Sequence, residues 1–133
     1  MSDVFRVIHG VTTRQQVLEQ MMHEVTAVNV ANGWHDETRR FAEDIALLHS
    51  EVSEMLEAYR DHGIMDATEP GTHTDPFMND VPNKPEGVGS EAADILIRLL
   101  DTCDRSDIDL YVEYERKIAY NKTRGHRHGG KRL

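Results

Sequence analysis

The chain has 133 residues, 38% of them hydrophobic and 29% charged, and its 24 Asp/Glu against 15 Lys/Arg give a formal charge of −9. That size fits a single domain, residues 1–133, with a core of its own, and the acidic balance argues against stable nucleic-acid binding. No apolar run of about 18 residues reads as a membrane span, and the first twenty residues lack a hydrophobic segment of secretory type, so the cytoplasm is the expected compartment.

The first helix is expected to start at Thr13, where "TRQQ" fits a capping box with Gln16. Leu18, Met21, Val25 and Val28 then recur at spacings of three and four, the period of an apolar helix face. "NGW" closes it, with Gly33 suited to the left-handed position after a helix. Trp34, the only tryptophan, follows directly, either as a packing lid at the helix junction or as a stacking platform for a base.

The second helix is expected to follow Asp36 as its cap and to run to about Asp61. Phe41, Ile45, Leu48, Val52, Met55 and Tyr59 form a sustained one-face stripe, expected to enter the core. Leu47, Glu51, Glu54 and Ala58 form a second stripe beside it, and two usable faces suggest a helix packed on more than one side. All four prolines lie between residues 62 and 86, which predicts a long irregular loop. "NKPE" then reads as a helix start, with Asn83 as cap and Glu86 three residues on. The third helix carries Val88, Ala92, Ile95, Leu99 and Cys103 on one line, and Gly87 and Gly89 leave room for a late start near Ser90. Cys103 is the only cysteine and reads as a reduced core thiol. Asp109 is placed to cap the fourth helix, whose apolar line is Leu110, Tyr114 and Ile118 and whose close is "TRG". No strand pattern of period two stands out. Short links favour antiparallel neighbours, so the expected fold is an all-α antiparallel bundle of about four helices, with the Pro-rich loop between helices 2 and 3.

Charge is unevenly spread. Residues 1–114 carry 8 Lys/Arg against 23 Asp/Glu, a net of −15, and residues 115–133 carry 7 against 1, a net of +6. Residues 125–133 read as a flexible basic tail, with His126 and His128 as possible phosphate contacts. In the acidic body, "HSEVSEMLEAYR" places Glu51 and Glu54 three apart, and "GSEAADILIRLL" repeats the device with Glu91 and Asp94. Residues three apart share a helix face. If helices 2 and 3 pack with these edges together, four carboxylates converge and repel one another unless protonated or neutralised. A hard divalent cation, Mg²⁺ or in its place Mn²⁺, relieves that repulsion and bridges to phosphates. The plainer alternative is a solvated helix surface, with Asp94 and Arg98 paired at i,i+4. On the fourth helix Lys117, Asn121 and Arg124 line up as three donors, suited to a polyphosphate if they face the acids and otherwise an exposed basic face.

Glu51-x-x-Glu54 followed by Glu91-x-x-Asp94 and then "ERKIAYNKTR" resembles the MazG-like all-α nucleoside triphosphate pyrophosphohydrolases, from about Trp34 to His128. The resemblance implies Mg²⁺-dependent hydrolysis of the α–β phosphoanhydride of a nucleotide, giving the monophosphate and pyrophosphate, by a homodimer or homotetramer. It implies Glu51, Glu54, Glu91 and Asp94 as metal ligands and Lys117, Asn121 and Arg124 as phosphate contacts, with the base near the first helix and Trp34. Many relatives have a further glutamate where this chain has Ser50, which leaves the water-activating group open, Glu54 being one candidate. A non-catalytic helical nucleotide-binding or assembly module is the alternative. A His35-Asp36 phosphohydrolase dyad and a di-iron bundle are disfavoured: Asp36 is placed to cap a helix, and no histidine has a glutamate three residues before it.

Overall fold

The computed structural model describes residues 12–125 and is mostly helical, with four helices and one small two-stranded sheet. Helix α1 spans Arg14–Ala31. Thr13 Oγ1 accepts from Gln16 N at 3.2 Å and Gln16 Oε1 from Thr13 N at 2.8 Å, the expected reciprocal cap. Gly33, at φ +78°, turns the chain out of the helix.

Helix α2 spans Phe41–His62, so it starts later than expected and Asp36 does not cap it. Glu43 does so from inside, its Oε2 accepting from Arg40 N at 2.8 Å while Oε1 pairs with the Arg40 guanidinium at 3.0 Å. Residues 32–40 thereby form a connection that carries Trp34, His35 and Arg39 rather than a helical turn. Both stripes of α2 are partly covered: Asp44 and Glu51 are its buried residues, Ile45, Leu48 and Met55 of the long apolar stripe and Leu47 and Ala58 of the second are half-buried, and Phe41, Val52 and Tyr59 are about half exposed.

The Pro-rich segment is not wholly irregular. Strands β1 (Thr72–Thr74) and β2 (Asp80–Pro82) form an antiparallel hairpin with His73 opposite Val81. Three-residue strands are too short to print a period-two pattern, which is why the sequence hides them. Their turn is held by Asp75, whose carboxylate accepts from Phe77 N at 2.9 Å and Asn79 N at 2.8 Å. Asn83 does not cap the next helix; its amide donates to the carbonyls of Glu69 and Pro70 at 3.1 and 3.3 Å, closing the base of the hairpin loop.

Helix α3 spans Val88–Arg105, starting earlier than Ser90 and without a side-chain cap. Gly87 enters it at φ +101°, and a Cβ there would stand 2.9 Å from the Met65 carbonyl, so only glycine lets the two backbone segments cross. Helix α4 spans Leu110–Thr123, with Asp109 Oδ1 accepting from Val112 N at 3.0 Å as expected.

α2 packs most extensively on α3, and α1 lies on another side of α3. Asp44 pairs with Arg105 while Glu51 pairs with Arg98, so residue numbers rise along α2 as they fall along α3 and the two helices run antiparallel. α3 is therefore the central element. Among the described residues, the buried apolar side chains are Val88, Leu100 and Cys103, all on α3, against four buried polar ones, Asp44, Glu51, Asp101 and Thr102. Burial also raises the pKa of the Cys103 thiol, in keeping with an inert core residue. No helix of the described residues is long and apolar enough to cross a membrane. The expected basic tail, with His126 and His128, lies outside the described residues.

Leu100 is 1% exposed and occupies the centre of this small core. Leu100→Ala is expected to lower unfolding stability by about 2–5 kcal/mol, measured by chemical denaturation at fixed protein concentration. A loss well under 1 kcal/mol would show that the core is organised elsewhere.

Candidate metal and phosphate site

The α2/α3 pairing brings the predicted acids together. Glu51, Glu54 and Glu91 each place a carboxylate oxygen within 4.8 Å of the other two. Glu51 and Glu54 come from one turn of α2, and Glu91 from the first turn of α3, which the antiparallel pairing sets opposite them. Asp94, one turn further along α3, lines the same cleft but stands outside the closest trio. The cleft, of about 390 Å³, is walled by Asn29, Trp34, Arg39, Lys84, Arg98 and Asp101 together with Glu51, Glu54 and Asp94, while Glu91 joins it through its closeness to Glu51 and Glu54.

The four carboxylates are not equivalent. Glu51 is buried, and Arg98 Nε donates to its Oε1 at 2.8 Å. The sequence suggests an Asp94–Arg98 pair along α3; the guanidinium instead reaches across to the buried acid, where desolvation makes an unpaired charge most costly. Glu54 is exposed and, among the described residues, makes no ion pair or hydrogen bond, so its carboxylate is free for a ligand. Glu91 is half-buried, and its Oε2 is inaccessible to solvent yet receives no hydrogen bond. An orphaned carboxylate oxygen beside two other carboxylates is the arrangement a cation completes. The donor set is entirely oxygen, which fits Mg²⁺ or Mn²⁺, with coordination filled by water and phosphate oxygens. Glu51, Glu54 and Glu91 would hold such an ion.

A polar network missed by sequence reasoning supports this site. His35 Nε2 lies 2.7 Å from Asp101 Oδ1, and Arg39 lies 3.2 Å from Asp44 and 3.8 Å from Asp101. Arg105 adds a contact to Asp44 at 3.5 Å. Asp44 and Asp101 are each 6% exposed. Neither Arg39 Nε nor Arg105 Nη1 is aimed for a hydrogen bond, so these contacts are charge attractions rather than directional bonds. Together they tie the connection of residues 32–40 to α2 and α3, and with it Trp34, which is 57% exposed on the cleft wall. The only sequence signal was the unusual presence of Asp44 and Asp101 on core-facing helical positions. His35 thus serves Asp101, and Asp36 takes no part in a dyad with it: its backbone N–H donates to the Gly33 carbonyl at 3.1 Å. Ser50, where many relatives of the resembling family carry an acid, turns its hydroxyl back to the Leu47 carbonyl at 2.7 Å.

The predicted donors of α4 are not brought to the cleft within one chain. Lys117, Asn121 and Arg124 are exposed, and Lys117 and Arg124 lie 6.0 and 5.8 Å from the centre of the Tyr120 ring. None of the three lines the acidic cleft.

Burial first, then the charges of Asp94, Glu54 and Glu51, push the Glu91 carboxyl above the usual glutamate range, with Lys84 opposing them. The folded protein therefore binds a proton at Glu91 that the unfolded chain has already released. Stability falls as pH rises from the ordinary glutamate range through the raised value. In chelator, thermal unfolding across that window should show this decline for the wild type and a flatter profile for Glu91→Gln, and saturating Mg²⁺ should flatten the wild-type profile as well. Identical profiles for the two proteins would remove Glu91 from the cluster's charge balance.

No protein-family model matches the chain, and no curated protein or solved structure matches it, so the chemistry of the site has to be argued from its own geometry.

Proposed function

We propose that the chain is a metal-dependent nucleoside triphosphate pyrophosphohydrolase, cleaving the α–β phosphoanhydride of a nucleotide to the monophosphate and pyrophosphate. The observation that carries this reading is the convergence of Glu51, Glu54 and Glu91 across two helices, with Glu51 and Glu54 lining a cleft that also holds Trp34. It agrees with the resemblance of the acid pairs and "ERKIAYNKTR" to the MazG-like family.

Mg²⁺, when bound, supplies Lewis-acid polarisation of phosphate oxygens and a lowered pKa for its water. The side chains supply the rest. Trp34 offers a flat apolar face to the base, and Asn29 stands beside it with both a donor and an acceptor. Glu54, the unpaired carboxylate of the trio, is the group placed to take a proton from the attacking water. The water oxygen bonds to the α-phosphorus, the bond from that phosphorus to the bridging oxygen breaks, and pyrophosphate departs with the bond's electrons. Arg98, bonded to Glu51, holds one ligand in orientation.

A second copy of the chain belongs to this proposal, as a homodimer or homotetramer with a completed helical bundle. The apolar stripe of α2 lies half in solvent at Phe41, Val52 and Tyr59, and the buried apolar set is small for a chain standing alone. A neighbouring copy is also the remaining route by which Lys117, Asn121 and Arg124 could approach an acidic cleft.

One observation favours the alternative of a non-catalytic nucleotide-binding module: Arg98 already neutralises Glu51, as it would in a purely structural ion pair. Turnover separates the two. With a panel of nucleoside triphosphates and Mg²⁺, the wild type should release pyrophosphate rather than orthophosphate. Glu54→Gln should lose at least about a hundredfold in kcat, the scale of a general base, with its helical circular-dichroism signal intact. Nucleotide binding without turnover in the wild type would establish the binding module instead.

A further inference from the structure

Three cations line the acidic cleft: Arg39, Lys84 and Arg98. Two are already engaged, Arg98 by Glu51 at 2.8 Å and Arg39 by Asp44 at 3.2 Å. Lys84 is exposed and, among the described residues, makes no ion pair. Its backbone, in contrast, is well anchored. Pro82 and Pro85 restrict the chain on either side, the Asn83 amide is tied to the Glu69 and Pro70 carbonyls, and the Pro85 carbonyl accepts from Ser90 Oγ at 3.0 Å. An unpaired lysine on an anchored backbone segment, lining a cleft that holds carboxylates, is poised for an anion brought from outside.

The cleft also has a direction. Lys84 enters at the N-terminal end of α3, beside the trio, whereas Trp34, Arg39 and Asp101 lie with the later turns of that helix. Glu91 and Asp101 are ten residues apart, roughly 15 Å along the axis. A nucleotide with its base against Trp34 therefore runs its phosphate chain past the carboxylates toward Lys84. We propose that Lys84 binds the terminal phosphates of the substrate, the part that leaves as pyrophosphate, and so supplies within one chain the fixed cation that α4 does not bring to the cleft. The identity of the ligand rests on the hydrolase reading; the anion site itself does not.

The test compares wild type, Lys84→Met, Lys84→Arg and Lys122→Met, the last removing an exposed α4 lysine away from the cleft. Calorimetric titration with inorganic tripolyphosphate and Mg²⁺ should show affinity lowered roughly tenfold or more in Lys84→Met, the scale of one charge-assisted hydrogen bond. Lys84→Arg should stay close to wild type, and Lys122→Met should be unchanged. In turnover, Lys84→Met should raise KM and weaken inhibition by pyrophosphate while leaving inhibition by the nucleoside monophosphate as it was. Equal tripolyphosphate affinity in wild type and Lys84→Met overturns the proposal, as does an equal loss in Lys122→Met or a wild type that binds no tripolyphosphate. A wild type that binds tripolyphosphate through Lys84 but hydrolyses no nucleotide sinks the hydrolase reading and keeps the anion site. Turnover indifferent to Lys84 does the reverse.

Discussion

Negative charge held between two helices organises this protein. On α2 and α3 three acids, Asp44, Glu51 and Asp101, are buried to a degree normally reserved for aliphatic side chains. A carboxylate in that position needs a partner, because removing the partner from a buried pair costs about 3–5 kcal/mol. Arg98, Arg39, Arg105 and His35 provide partners along most of the interface. At one end, Glu54 and Glu91 make no ion pair among the described residues, and Glu91 Oε2 is buried without a hydrogen bond.

The same interface fixes elements that would otherwise wander. The connection of residues 32–40 has no regular structure, yet His35 and Arg39 anchor it to acids on α2 and α3, and Trp34 is carried between them onto the cleft wall. The hairpin loop is secured separately, through Asn83 and the backbone crossing at Gly87, so that Lys84 meets the cleft from the opposite end. A ligand lying along α3 would thus touch parts of the chain far apart in sequence, each held by polar contacts rather than by a deep apolar core.

Legibility in the sequence followed how local each interaction is. The caps at Thr13 and Asp109 and the turn at Gly33 rest on contacts within four residues, and their residue types alone announce them. The approach of Glu51 and Glu54 to Glu91 was legible because helical periodicity puts each acid pair on one face, while Asp94 stands outside that trio. Caps assigned to Asp36 and Asn83 failed because those residues had nearer or better partners: Glu43 supplied the cap of α2, and Asn83 closed the hairpin loop.

By itself, then, the sequence determined that the chain is mostly helical, where helices α1 and α4 begin, and which acids share a helix edge. All of these depend on spacing and short-range hydrogen bonds. Tertiary structure alone decided that Asp44 and Glu51 are the buried residues of α2, that Arg98 joins Glu51 rather than Asp94, and that Lys84 rather than the α4 donors lines the acidic cleft within one chain. Those outcomes depend on competition among partners distant in sequence, where burial sets the strength of each charge pair, and no local pattern records who wins.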